Sequence, residues 1–147
     1  MLNMRHFDSK SLPYSCTQLF ALVADIESYP AFLLGWSSVR ILHSGESQLQ
    51  VEQQLRLGPF ELRFESTAAL EHCKRILITS SDPPFQEMTI DWRFKALPEN
   101  HCEVSVEMTL LLQSGVLKYP LEKILGQSSS QLLWLFENRA HPLYSMV

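Results

Sequence analysis

Between residues 38 and 113 the chain alternates apolar and polar positions with a period of two. Met88, Ile90, Trp92, Phe94 and Ala96 are separated by Thr89, Asp91, Arg93 and Lys95. Cys102, Val104, Val106, Met108 and Leu110 are separated by Glu103, Ser105, Glu107 and Thr109. Successive side chains of a strand point to opposite faces, so each run predicts a strand with one dry and one wet face. Phe60, Leu62 and Phe64 predict a third strand, and residues 49–57, with Gln53 among Leu49, Val51, Leu55 and Leu57, a fourth. Shorter runs over 39–44 and 76–81 complete six. The breaks fall at Ser44-Gly45, Gly58-Pro59, His72 to Lys74, Asp82-Pro83-Pro84 and Pro98-Glu99-Asn100, all turn chemistry. Short turns between half-wet strands predict an antiparallel meander.

The period lengthens at both ends of the meander. Cys16, Leu19, Phe20, Val23 and Ile26 recur at helical spacing. Ser15 followed by Gln18 is a capping box, with Tyr14 and Leu19 placed for the hydrophobic staple. Pro30 closes that helix, and a second short helix is predicted over 31–35. A weakly alternating strand is expected before it, over 2–9. At the other end Leu121, Ile124, Leu125, Ser128, Leu132, Leu135 and Phe136 form one stripe, with Pro120 opening or kinking the helix and Pro142 ending it. From Pro120 to His141 such a helix measures about 33 Å, roughly the span of a ten-residue strand. The order is strand, two helices, six-strand meander, long helix. A sheet with one dry face needs a covering layer, and the last helix alone has the length. The fold class is therefore α+β, a curved antiparallel sheet wrapped around a long C-terminal helix, in one domain of 147 residues.

A chain that is 46% hydrophobic encloses a core, and a net charge of −4 argues against gripping DNA through bulk charge. Three cysteines, Cys16, Cys73 and Cys102, with no C-x-x-C pair point to a reducing compartment, and Arg5, His6, Asp8 and Lys10 interrupt any secretory h-region. The cytoplasm is the expected location. No G-x-S-x-G, H-E-x-x-H, P-loop or G-x-G-x-x-G motif is present. The pairs His72-Cys73 and His101-Cys102 fall at one end of the meander, but neighbouring strand residues face apart, so neither pair is expected to hold a metal.

Candidate binding residues come from position. Gln53 occupies the inward register of an apolar strand, where an unsatisfied amide costs about 1–3 kcal/mol. It must bond within the core, turn out on a bulge, or meet a buried water or a ligand. Ser66 is similarly placed. Phe64, Phe85, Trp92, Phe94 and Phe136 fall on inward positions or beside them; they suit the core, and equally a flat aromatic or quinone ring. In the closing stripe, Leu132 and Phe136 supply apolar contact, while Gly126 and Ser128 allow either close packing or room for a ligand.

Leu12-Pro13-Tyr14-Ser15, then Leu19-Phe20-x-Leu22-Val23-x-Asp25-x-x-Ser28-Tyr29-Pro30-x-Phe32-Leu33, resembles the opening of the coenzyme-Q-binding START-like proteins. This group is also known as polyketide cyclase/dehydrase and includes bacterial ribosome-association toxins. Pro84-Phe85, Trp92-x-Phe94 and Phe136-x-x-Arg139-Ala140-x-x-Leu143-Tyr144 extend the likeness over the whole chain. The resemblance implies the helix-grip fold and a tunnel under the C-terminal helix, with ubiquinone or another lipid as ligand and no required cofactor. It also implies two alternatives, binding to the large ribosomal subunit and polyketide aromatase/cyclase activity. The expected partners are a hydrophobic small molecule, the ribosome as alternative, and peripheral contact with a membrane.

Overall fold

The computed structural model describes residues 2–33, 35–113, 115–117 and 129–144. Seven strands form one antiparallel sheet: β1 (Leu2–Leu12), β2 (Trp36–Ser44), β3 (Gln48–Leu57), β4 (Phe60–Glu71), β5 (Arg75–Ser80), β6 (Phe85–Leu97) and β7 (His101–Leu112). Their order across the sheet is β1-β7-β6-β5-β4-β3-β2. β1 and β2 are consecutive in sequence yet occupy opposite edges. The chain crosses between them through helix α1 (Cys16–Ala24) and a 3-10 helix (Ile26–Ala31), then meanders back until β7 pairs with β1. Helix α2 (Ser129–Tyr144) follows and packs on β1, β7 and α1.

Local chemistry sets these elements. The Ser15 hydroxyl accepts from the Gln18 backbone N–H, and the Gln18 side chain accepts from the Ser15 N–H, each at 3.1 Å. This reciprocal cap satisfies two orphan donors and fixes where α1 starts. Cys16, Leu19, Phe20, Leu22 and Val23 are its buried residues. β3 and β4 join through Gly58, whose φ of +65° is open to glycine, ahead of the negative φ that Pro59 imposes. Bulges at Trp36/Ser38 and Ile41/His43 on β2, and at Phe85/Glu87 on β6, add the local bend a wrapping sheet needs.

The period-two reading holds along β7, where Cys102, Val104, Val106, Met108, Leu110 and Leu112 are all buried. Three expectations change. The predicted helix over 31–35 is instead the 3-10 helix Ile26–Ala31, with Pro30 inside it; the tighter helix accommodates a proline directly after α1. Pro142 does not end α2 but lies within it near its described end, where its missing N–H leaves the Asn138 carbonyl without its usual donor. β1 reaches Leu12, three residues beyond its predicted end, because its ladder with β7 runs unbroken to Cys102. Described α2 has 16 residues, about 24 Å. Pro120, Leu121, Ile124, Leu125, Gly126 and Ser128 lie outside the described residues.

Candidate functional site

Between the concave face of the sheet and α2 lies an apolar cavity of about 40 Å³. Phe64, Phe85 and Trp92 line it from the sheet, and Leu132 and Phe136 from α2. These five of the sequence-derived candidates do converge. Aromatic edges organise the wall: Phe136 meets Trp92 at 4.9 Å and Tyr29 at 5.4 Å, and Phe64 meets Phe85 at 5.1 Å between ring centroids.

Gln53 also lines the cavity, 4% exposed. Its amide Nε2 donates to the Ser66 hydroxyl at 2.9 Å, and its Oε1 accepts from the Trp36 indole N–H at 3.0 Å. The amide is thus satisfied within the protein, the first of the outcomes open from sequence. Ser66, 3% exposed, stands beside it as the acceptor.

Phe94 belongs elsewhere. It faces inward and is buried, but its ring packs edge-on against Phe20 of α1 at 5.6 Å. The inward register placed it on the right face, and α1 rather than the cavity covers that end of the strand. Ser128, the remaining candidate, lies outside the described residues.

Several wall residues were not singled out from sequence, among them Tyr29, Leu33, Trp36, Ile78, Met88 and Leu110. Tyr29 and Leu33 come from the short 3-10 helix after α1 and the loop behind it, too brief to set up a readable period. Their available signal was the motif Tyr29-Pro30-x-Phe32-Leu33. Tyr29 is the one titratable group among the described wall residues. Its hydroxyl donates to the Val23 carbonyl. Burial raises its pKa well above the ordinary tyrosine range, and the Asp25 charge adds to the rise.

Beside the cavity, the end of the 3-10 helix meets α2. Phe32 is half-buried there, with its ring against Phe136 at 5.1 Å. Arg139 lies over Phe32, its guanidinium carbon 5.4 Å from the ring centroid. Leu132, Phe136 and Arg139 are spaced four and three residues apart, so they share one helix face. The Nε of Arg139 is buried without a hydrogen-bond partner.

The size of the space departs from expectation. Ligand sites run to about 300–1,000 Å³, whereas 40 Å³ admits only a few water-sized bodies. The aromatic side chains themselves fill the bowl. Among the described residues, no group of three or more His, Cys, Asp or Glu is placed to hold a metal ion. The His72-Cys73 pair does converge, with Sγ 3.3 Å from Nε2, because Cys73 sits in a turn at φ +59° and not in a strand. No described helix is long and apolar enough to cross a membrane.

Fold and cavity together define a START-like, helix-grip protein. The family model for polyketide cyclase/dehydrase and lipid transport matches residues 12–137, and the chain belongs to that family. Among curated relatives, the ribosome association toxin RatA of Pseudomonas aeruginosa is 31% identical over 92% of this chain and 94% of its own. Among solved structures, the Zhui aromatase/cyclase from Streptomyces sp. R1128 superposes with a TM-score of 0.79 at 14% identity, covering 95% of this chain and 94% of that one. An 18 kDa protein from Caulobacter crescentus has a TM-score of 0.71 at 25% identity, covering 97% and 99%.

Proposed function

We propose that the protein binds a lipophilic small molecule, a respiratory quinone such as ubiquinone or a related lipid, between the sheet and α2. The observation that carries this reading is the chemistry of the wall, which is almost wholly hydrocarbon and aromatic. Its one buried amide is already satisfied, and its one titratable hydroxyl is committed to Val23. Such a wall favours an apolar body and offers, among the described residues, no free acid or base to act on it. At about 40 Å³ the space must widen before a ring or chain enters. Trp36, a half-buried wall residue, is a side chain whose displacement would widen it. Exchange of such a ligand implies peripheral contact with a membrane from the cytoplasmic side.

The test has two parts. Solvent extraction of the purified protein, read by mass spectrometry, is expected to release a lipid or quinone. Titration with a short-chain ubiquinone is expected to quench tryptophan emission, because Trp36 and Trp92 both border the cavity. Absence of both results discards the reading.

A second reading, association with the large ribosomal subunit, is favoured by the near full-length likeness to a protein named as a ribosome association toxin. The net charge of −4 opposes attraction to ribosomal RNA, so contact would depend on a local surface. Protein remaining at the top of a sucrose gradient at low salt, with ribosomes present, removes it. The aromatase/cyclase reading has the least support. Its structural relative is 14% identical, and the committed Tyr29 hydroxyl is a poor acid or base.

A further inference from the structure

We infer that the three cysteines form one oxidation site: a hydroperoxide reacts at Cys73, and the oxidation passes inward to a disulfide between Cys16 and Cys102. The inference is independent of what the cavity holds.

Its basis is a gathering of thiols that the sequence keeps far apart. Cys16 is the first residue of α1, Cys73 lies in the turn between β4 and β5, and Cys102 is the second residue of β7. The fold brings these places to one end of the sheet. Cys102 pairs with Leu12 of β1, four residues before Cys16, and with Ala96 of β6. On β6 the Phe94 N–H donates to the Lys74 carbonyl at 2.9 Å, which seats the β4–β5 turn at this end. Phe20 of α1 closes the group, its ring 5.3 Å from His72 and 5.6 Å from Phe94. Within it the Cys16 and Cys102 side chains are buried and hydrogen-bonded to each other. The Cys73 sulfur is 3.5 Å from the hydroxyl of Thr17, the residue after Cys16.

Exposure and partners set the order of events. Cys73 is half-buried, the most accessible of the three, and its sulfur is 3.3 Å from His72 Nε2, where the ring can take the thiol proton. Its thiolate attacks the peroxide oxygen, giving Cys73 sulfenic acid and releasing an alcohol, or water where the oxidant is hydrogen peroxide. The Cys16 thiol then attacks the oxidised sulfur; a Cys16–Cys73 disulfide forms and one water leaves. Finally the Cys102 thiol attacks the Cys16 sulfur, forming the Cys16–Cys102 bond and returning Cys73 as a free thiol. Cys73 must leave His72 to reach Cys16, whereas the final bond joins side chains already in contact, and this favours the inner pair. Burial keeps the Cys102 thiol protonated, so the last exchange is the slow one. Two thiols are oxidised and one hydroperoxide is reduced. The product fastens the start of α1 to β7, and α2 packs on both elements.

The experiment treats the folded full chain with hydrogen peroxide, alkylates it in denaturant and maps the peptides without reduction. The wild type is expected to yield a Cys16–Cys102 linkage with Cys73 free, reversed by dithiothreitol. Cys73→Ser is expected to form that linkage about tenfold more slowly. Cys16→Ser is expected to accumulate sulfenic acid on Cys73, trapped by dimedone, and Cys102→Ser to stop at the Cys16–Cys73 linkage. Thermal unfolding of each variant is followed in parallel. Equal rates in the wild type and a folded Cys73→Ser overturn the entry role of Cys73. A wild-type disulfide that retains Cys73, or thiols that pass to sulfinic acid without any disulfide, overturns the inner pair. A wild type that resists the peroxide overturns both.

Discussion

The Gln53 amide and the Ser66 hydroxyl meet at 2.9 Å across adjacent strands, a closed polar pair inside an apolar bowl. Each is under 5% exposed, so neither has water as a substitute partner. Ser66→Ala strands a Gln53 N–H and is expected to cost about 1–3 kcal/mol. Gln53→Met strands the serine and also frees the Trp36 indole, which is only half-buried and therefore reaches solvent. The double variant should lose less than the sum of the two, by about 0.5 kcal/mol or more, since the pair acts as one unit. Urea unfolding of the four proteins measures this, and strict additivity would contradict a direct bond.

Phe136 is the ring on which the cavity wall converges. It presents edges or face to Tyr29, Phe32 and Trp92 within 5.5 Å centroid to centroid. Phe136→Ala is expected to destabilise the fold by about 3–5 kcal/mol, combining lost transfer energy with the void left behind. The void is apolar and would stay dry, so it should accept benzene, as engineered cavities of about 150 Å³ do. Benzene is then expected to raise the Tm of Phe136→Ala by more than that of the wild type, whose 40 Å³ space must first widen. A wild-type response equal to the variant's would mean the cavity is already open to such molecules.

The fold was legible where one residue's face follows from its neighbours'. Along β7 the alternation in sequence is the alternation in burial, because a strand side chain has only two directions to take. Along β6 it holds at Met88, Trp92 and Phe94, while Ile90 is half-buried and Ala96, expected inward, is exposed near the strand's end. Ser15 with Gln18 was equally readable, since a capping box is a local bond between near neighbours. The site was legible by face and not by depth. Phe94 and Trp92 share a strand face, yet α1 covers the first while α2 covers the second, and no periodicity encodes which helix lies above. Tyr29 and Leu33 escaped because they come from a short 3-10 helix and the loop after it, too brief to set up a readable period. The volume escaped because it depends on how rings from several elements interlock, a tertiary property with no local signature.

Stability should decline on the alkaline side through two buried groups. Folding raises the Tyr29 pKa, chiefly by burial, and pushes the Cys102 thiol up to about 12, chiefly by burial and then by its bond with Cys16. Below the unfolded values, about 8.5 for cysteine and 10 for tyrosine, both states keep these protons and the contribution is constant. Above them the unfolded chain releases protons that the folded chain retains, so each group removes about 1.4 kcal/mol per pH unit until its folded pKa is reached. Urea midpoints between pH 8 and 11 test this. Tyr29→Phe is expected to lower stability at pH 7, by losing the bond to Val23, but to flatten the fall above pH 10. An unaltered slope in that variant would show that Tyr29 ionises as readily folded as unfolded.

The three thiols should differ sharply in reactivity. Cys16 and Cys102 are buried, and Cys73 is half-buried with its sulfur 3.3 Å from His72 Nε2 and 3.5 Å from the Thr17 hydroxyl. Alkylation requires the thiolate, and with a pKa near 12 Cys102 holds about one part in ten thousand of that form at pH 8. Folded protein is therefore expected to give one rapid equivalent with a disulfide reagent at pH 8, and three in denaturant. Cys73→Ser should abolish the rapid phase, whereas Cys102→Ser should leave it intact. Because the turn at Cys73 is what turns its sulfur toward His72, a rapid phase that persists in Cys73→Ser would place the accessible thiol on α1 instead and contradict the burial of Cys16 beneath it.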